Sequence, residues 1–300
     1  MPRVCLIGGA NIDYLAYSKR PIRRHDSNPG YLRKSFGGVA RNVAENLARL
    51  GTDTDLITVV GRDLDGHQMV ETGEKLGLRF YPVEVPATPS YIALIDTDND
   101  LYAGVAAMDV FSALTREEIE RRMAIITRAD LVFLDTNLTT EVIETLLSAV
   151  EQPVYVDGIS THKAARILPF LDRIEALKLN VIEATALTDH PYESERDLEV
   201  ITSFFRERGL QELYLTLGDQ GVCHATEGAL RIRRPKPVSI VSSTGAGDAF
   251  FAGVIYGKLN GLDPVACGEA AAVLALRSEG AVSPLLSPKT LMETIKEYER

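Results

Sequence analysis

The chain has 300 residues, 45% of them hydrophobic and 25% charged, with a net charge of −10. That is enough apolar material for one large core and too much for a disordered chain. The acidic balance argues against a nucleic-acid or acidic-membrane surface, while leaving room for an anionic ligand held by local amides or a metal ion. Cys5, Cys223 and Cys267 stand far apart with no CxxC spacing, and the five histidines show no ligand spacing. Neither a disulfide framework nor a zinc site is expected, and Cys5 and Cys267 read as small core residues. The apolar run Val4–Ile7 is too short for a signal sequence, and no stretch approaches the length of a membrane span. A soluble, cytoplasmic protein is expected.

In chain order, Val4–Ile7 reads as a strand that runs straight into Gly8-Gly9-Ala10-Asn11-Ile12-Asp13. Asn11 and Asp13 are two apart in an extended segment and so point to one side. An amide and a carboxylate so placed suit a vicinal diol, or equally a turn in which both bond their own backbone. Tyr14–Phe36 is polar, with a turn at Ser27-Asn28-Pro29-Gly30. Gly37-Gly38 opens a helix over Val39–Leu50 with Val39, Val43, Leu47 and Leu50 as its buried stripe and Gly51 as its stop. Asn42 lies off that stripe beside the glycine pair, placed for a polar ligand, whereas Asn46 and Arg49 read as a solvated face.

Further strands are expected at Asp55–Val60, Leu131–Leu134, Val154–Val156, Leu177–Leu179, Leu213–Leu217 and Pro237–Val241. Helices at Asp65–Lys75, Arg116–Ile126, Glu141–Val150 and Asp197–Arg208 fall between several of them. Most of the strands lack period-two alternation, as strands covered on both faces do. The fold class is therefore α/β: a three-layer α/β/α domain with a mostly parallel sheet and right-handed crossovers. Pro89–Met108 breaks the alternation with a strand at Tyr91–Ile95, a turn at Asp96–Asp100 and a return strand at Leu101–Val105. With Tyr14–Phe36 it is expected to form a small second sheet. The reading is one domain over 1–300 with lid segments at about 14–36 and 89–108, covering the C-terminal strand ends where such folds bind ligands.

Asn180-Val181-Ile182-Glu183 places an amide and a carboxylate on one face of a helix's first turn. They suit a metal ion's water shell or a phosphate oxygen, or an ordinary helix cap. Thr216-Leu217-Gly218-Asp219-Gln220-Gly221 ends a strand and suits nucleotide phosphate or ribose. The most telling segment is Ser242-Ser243-Thr244-Gly245-Ala246-Gly247-Asp248. Its glycines allow a tight turn with exposed N–H groups. The apolar run Ala249–Tyr256 behind it reads as a buried helix, so an anion can rest on that helix's first turn. A carboxylate beside such an anion has a reason to be there if it holds and deprotonates an attacking hydroxyl; otherwise Asp248 is an acidic cap. At a helix N-terminus Asp248 is expected to be ionised at neutral pH, a weak base. Gly253–Leu259 lacks the Walker A spacing, and the first strand lacks the third glycine of GxGxxG. A P-loop enzyme and a dinucleotide-dependent dehydrogenase are both disfavoured.

These five ordered motifs resemble the ribokinase-like, or PfkB, family of carbohydrate and nucleoside kinases over nearly the whole chain. The resemblance implies ATP and Mg²⁺, with Asp248 as base and the amides of Gly245, Ala246 and Gly247 as anion hole. It implies Asn11, Asp13, Gly38 and Asn42 on the sugar, and Asn180 and Glu183 at the metal–phosphate region, with Glu183 reaching Mg²⁺ through water. Thr216, Gly218, Gly221 and Thr244 would serve the nucleotide, and the lid would form a homodimer contact. Within the family the chain looks most like the pseudouridine-phosphorylating branch. The cues are Ala10–Asp13, Asp26–Gly30, Gly38–Gly51 and Ser160-Thr161-His162-Lys163-Ala164 after Asp157. That branch implies Lys163 and the Ser27-Asn28 turn near the base, Asn137 as a further substrate-binding residue, and transfer of a γ-phosphoryl group to a ribosyl 5′-hydroxyl. Ribose, a hexose or a purine nucleoside is the alternative acceptor, and a binding regulator without turnover is the other class. Ser242 stands where many relatives carry an Asp that supports a monovalent cation, so the resemblance does not bring a K⁺ requirement with it.

Overall fold

Val4, Cys5, Leu6 and Ile7 are all fully buried, which a strand achieves only when both of its faces are covered. The structure, a computed structural model, describes residues 2–98 and 100–299. The first part of the chain gives β1 (Arg3–Ile7), β2 (Asn11–Ser18), β3 (Gly30–Gly37), α1 (Val39–Arg49), β4 (Asp53–Ile57), β5 (Val59–Gly61) and α2 (Leu64–Glu74). Then come β6 (Arg79–Phe80), β7 (Val83–Val85), β8 (Ser90–Ile95), β9 (Leu101–Ala107), α3 (Arg116–Ile126), β10 (Leu131–Asp135), α4 (Thr140–Ala149), β11 (Val154–Asp157) and α5 (Thr161–Ala164). The last part gives β12 (Ala176–Asn180), α6 (Val181–Thr188), α7 (Asp197–Arg206), β13 (Glu212–Thr216), β14 (Val222–Thr226), β15 (Leu230–Arg233), α8 (Ala246–Asn260), α9 (Pro264–Leu276) and α10 (Pro288–Glu299).

The large sheet has the order β15-β14-β13-β12-β11-β10-β1-β4-β6, every pairing parallel except β13–β14 and β14–β15. Alternate residues of each strand feed opposite layers. Cys5 and Ile7 join a core with Ile119, Val142, Leu146, Ile201 and Phe205 of α3, α4 and α7. Val4 and Leu6 join Val43 and Leu47 of α1 and Phe250, Phe251 and Val254 of α8. Phe251 sits 5.8 Å from Phe133 and 6.0 Å from Tyr155, ring centre to ring centre, and Phe251→Ala should cost about 3–5 kcal/mol. This is the three-layer α/β/α fold expected. A separate four-stranded sheet, β3-β2-β8-β9, is built from the two segments that broke the alternation. The turn expected over 96–100 contains Asn99, which lies outside the described residues.

Three expectations need correction. Asp55–Val60 is two strands: β4 ends at Ile57, Thr58 bonds the Gly8 carbonyl (2.7 Å), and β5 pairs with β7 in a small sheet of its own. Pro237–Val241 is not a strand. Pro237 lacks the N–H that pairing needs, and the Val241 N–H bonds the Leu276 carbonyl outside any sheet (2.8 Å). The sheet is finished instead by the antiparallel pair β14 and β15. Finally, Asn46 is fully buried rather than solvated, donating to the Asn42 carbonyl at 2.8 Å. All three cysteines are buried and free, and no helix among the described residues is long and apolar enough to cross a membrane.

Candidate active site

The parallel strands end together, and their register lines up polar residues along one rim. Asp135 of β10 pairs with Asp157 of β11, Asp157 with Lys178 of β12, and Asn180 with Thr216 of β13. Asp135 is buried and accepts three backbone N–H bonds, from Gly9 (2.7 Å), Ala40 (3.1 Å) and Asn137 (3.0 Å). It thereby ties the end of β1 to the start of α1. Burial outweighs those bonds and pushes its carboxyl up to about 6. Lys178 and Asp157, both buried, form an ion pair at 3.0 Å. Sequence reasoning singled out none of these three for the site. The one available signal was Lys178 inside the apolar run of β12, since a buried lysine needs a partner.

The turn before α8 lies on this rim. Gly245 is the cap residue, with φ +79°, and a Cβ there would stand 2.0 Å from the Ala281 carbonyl oxygen. Asp248 is the third residue of α8, so it is not the helix cap. A Cβ on Gly247 would be 3.1 Å from the Lys178 ammonium. Across 206 residues of sequence, the Asn42 amide donates to Asp248 Oδ2 at 2.8 Å. Burial and then the Asp157 charge push the Asp248 carboxyl up to about 7, against Lys178 and Asn42. The expectation of an ionised weak base is thus corrected: loss of water outweighs the helix end. The carboxyl titrates where a general base works best.

The N-terminal motif meets this rim through close backbone packing. Asn11 donates to Asp13 at 2.7 Å on one face of β2. A Cβ on Gly37 would stand 2.2 Å from Asp13 Oδ2, and one on Gly38 (φ +96°) 2.4 Å from the Gly9 carbonyl. Only glycine lets α1 start so close to β1 and β2. Burial raises the Asp13 carboxyl, opposed by Asn11 and Arg41. Lys163, its ammonium shifted downward by burial, donates to the Asn137 oxygen at 2.7 Å. A Cβ on Gly9 would meet the Asn137 amide nitrogen at 2.3 Å. Asn11, Asp13, Gly38, Asn42, Asn137, Lys163 and Asp248 therefore belong to one continuous series of contacts. Ser27 and Asn28 do not join it among the described residues. Both are exposed, and Asn28 bonds Arg23 and Asp26 within its own turn.

Asn180 and Glu183 form a reciprocal helix cap at the start of α6, at 2.8 and 2.9 Å, with Glu183 only 2% exposed. Burial raises the Glu183 carboxyl. Thr216 ends the neighbouring strand, Gly218 (φ +65°) and Gly221 (φ +106°) turn the chain beyond it, and Thr244 is exposed before the α8 turn. The Ser242 hydroxyl accepts from the Thr244 N–H at 3.2 Å.

The sequence and the fold have counterparts among known proteins. The model of the pfkB family carbohydrate kinases matches residues 1–288. The chain belongs to that family. It is a sugar or nucleoside kinase, a phosphotransferase with an alcohol group as acceptor. A pseudouridine kinase of Escherichia coli is 30% identical, over 99% of this chain and 97% of the relative. A carbohydrate kinase from Agrobacterium tumefaciens is 28% identical with a TM-score of 0.86, covering 99% of this chain and 98% of that one. An Arabidopsis thaliana ribokinase solved with ribose and ATP shares the fold at TM-score 0.85 and 20% identity, covering 98% and 99%.

Proposed function

We propose that this kinase transfers the γ-phosphoryl group of ATP to the 5′-hydroxyl of pseudouridine. The Asn42–Asp248 bond carries the reading, because it brings the C-terminal carboxylate against the helix whose glycine pair packs on Asn11 and Asp13. Asp13 accepts from the ribose diol and Asn11 completes the network, leaving the 5′-hydroxyl toward Asp248. Asp248 takes the hydroxyl proton as the O5′–phosphorus bond forms and the bond to the β-phosphate oxygen breaks, releasing ADP. The N–H groups of Gly245, Ala246 and Gly247 hold the phosphoryl oxygens, and Thr216, Gly218, Gly221 and Thr244 hold the nucleotide. Asn137 and Lys163, a polar pair at the far side of Gly9, face the base. The likeness to the E. coli pseudouridine kinase supports that acceptor.

Among the described residues no three His, Cys, Asp or Glu side chains converge on a metal position. Mg²⁺ is held by nucleotide phosphates and one or two carboxylates rather than a protein cage. Glu183 would hold it through water, and bound Mg²⁺ would neutralise phosphate charge. The small sheet acts as a lid. Its exposed Leu32, Ile92, Leu94, Leu101 and Val105 form an apolar face suited to a second copy. Light scattering that finds only monomer at high concentration would remove that dimer.

The test of function is a panel of acceptors with ATP, read by mass of the product: pseudouridine, uridine, inosine, ribose and fructose. Pseudouridine monophosphate should form fastest. A faster product from another acceptor displaces the substrate assignment, and no phosphorylated product at all displaces the proposed transfer.

A further inference from the structure

Arg41, on the first turn of α1, is 7% exposed and has no route to water for its charge except through partners. One terminal nitrogen, Nη1, donates to the Phe36 carbonyl (3.1 Å) and to Asn42 Oδ1 (2.8 Å). The other pairs with Glu45, and the guanidinium lies 5.2 Å from the centre of the Phe36 ring. A guanidinium donates and never accepts, so the Asn42 oxygen must face it. The Asn42 NH₂ must then face the other way, onto Asp248 Oδ2 at 2.8 Å. An amide free to turn over would suit either state of Asp248, offering NH₂ to the carboxylate or oxygen to the protonated acid. Arg41 removes the second choice.

We propose that Arg41 is a positioning residue that locks the Asn42 amide with its NH₂ on Asp248, so that the acceptor meets a carboxylate already aimed. The inference rests on the reading of Asp248 as base given above. The other charged groups facing Asp248 are Asp157 on β11, Asp135 on β10 and Lys178 on β12, and of these only Lys178 favours the charged form. Without the lock, one of the two supports of the carboxylate goes. The lock also leaves Asn42 a single N–H for a sugar oxygen, so its larger part is played toward the base.

The experiment follows the ¹³C-carboxyl resonance of Asp248, assigned by its loss in D248N, through a pH titration of full-length wild type, R41M and R41K, alongside kcat and KM. In R41M the Asp248 titration and the acid limb of kcat should move up together by about half a unit to one unit. At pH 7 kcat should fall roughly tenfold with KM for ATP unchanged. R41K, which keeps a charged donor, should recover most of both. A purely structural arginine would lower thermal stability in both variants and leave the titration where it was; that outcome overturns the proposal. If R41M does not fold, R41Q carries the comparison: its amide turns over as freely as that of Asn42, so the same upward movement is expected, and none overturns the lock. Retained turnover in D248N would remove the base while the titration comparison still decides the lock.

Discussion

The two rims of the large sheet are made from the same strands and treat their carboxylates in opposite ways. At the N-terminal rim, Asp53 meets Arg3 (2.8 Å) and Arg79, and buried Asp55 meets Arg79 (2.6 Å) and Arg128 (3.1 Å). Asp53 is lowered, chiefly by Arg79. Glu212, at the start of β13, is held down at about 2 against its own burial by His224, Lys258 and Tyr214. At the C-terminal rim Asp135, Asp248 and Glu183 are all raised by burial, and Asp157 and Lys178 pair with each other. Burial alone does not distinguish the rims; the supply of positive charge does. One rim fastens strands, and the other keeps carboxyls close to the pH at which they exchange protons.

The sharpest way to break this contrast is one substitution on each rim. Asp248→Asn should lower kcat by roughly 10²–10⁴ with KM for ATP nearly kept, the range for a lost general base. Asp53→Asn should leave kcat unchanged and cost less than about 1 kcal/mol in a urea melt, as a partly exposed pair does. Near-normal turnover in Asp248→Asn would erase the distinction. Next in size is the pH dependence. A base raised to about 7 works only when unprotonated, so kcat/KM should fall about tenfold per unit below that value. Circular dichroism should show the fold intact through that loss, because Glu212 stays ionised down to about 2. Activity that disappears only with the fold would contradict the reading.

Smaller effects sharpen it. Asp13→Ala should raise KM for the nucleoside about tenfold, and an unchanged KM would take Asp13 off the diol. Stability should also run opposite ways on the two rims. Asp248 titrates at 3.8 in an ordinary setting and near 7 here, so folding loses stability as pH rises from about 4 to 7 and stays penalised above. Asp248→Asn should therefore raise Tm by a few degrees at pH 8 and not at pH 4. Glu212 has the reverse sign: its stabilisation is present above 4.5 and lost as pH falls toward 2, so Glu212→Gln should lower Tm at pH 7. The least effect belongs to K⁺. With neutral Ser242 beside the α8 turn, turnover in potassium and choline chloride should be equal, and strong activation by K⁺ would show another cation support.

Much of the fold was legible because buried parallel strands need unbroken apolar runs, and β1, β10, β11 and β13 have them. β14 and β15 were missed: Val222-Cys223-His224-Ala225-Thr226 and Leu230–Arg233 interleave polar and apolar residues over four or five positions. Pro237–Val241 misled because its apolar composition resembles a strand while Pro237 has no N–H to pair. For the site, Asn11, Asp13 and Gly245–Asp248 announce themselves by adjacency of glycines and polar groups. Asp135, Asp157 and Lys178 do not, because their alignment depends on strand register, which local spacing does not encode. Asn46 looked solvated since only the packing of α8 against α1 makes that side of the helix an interior.

The clash awaiting any side chain at Gly245 has a consequence for reading natural variation in this chain. The turn before α8 is moulded against the carbonyl of Ala281, a methyl-bearing residue with no chemistry of its own, in the connection between α9 and α10. A missense change near 281 that tilts one peptide plane would misdirect the N–H groups 36 positions earlier while every recognisable motif stayed intact, so genotype screens confined to the motifs would pass it as harmless.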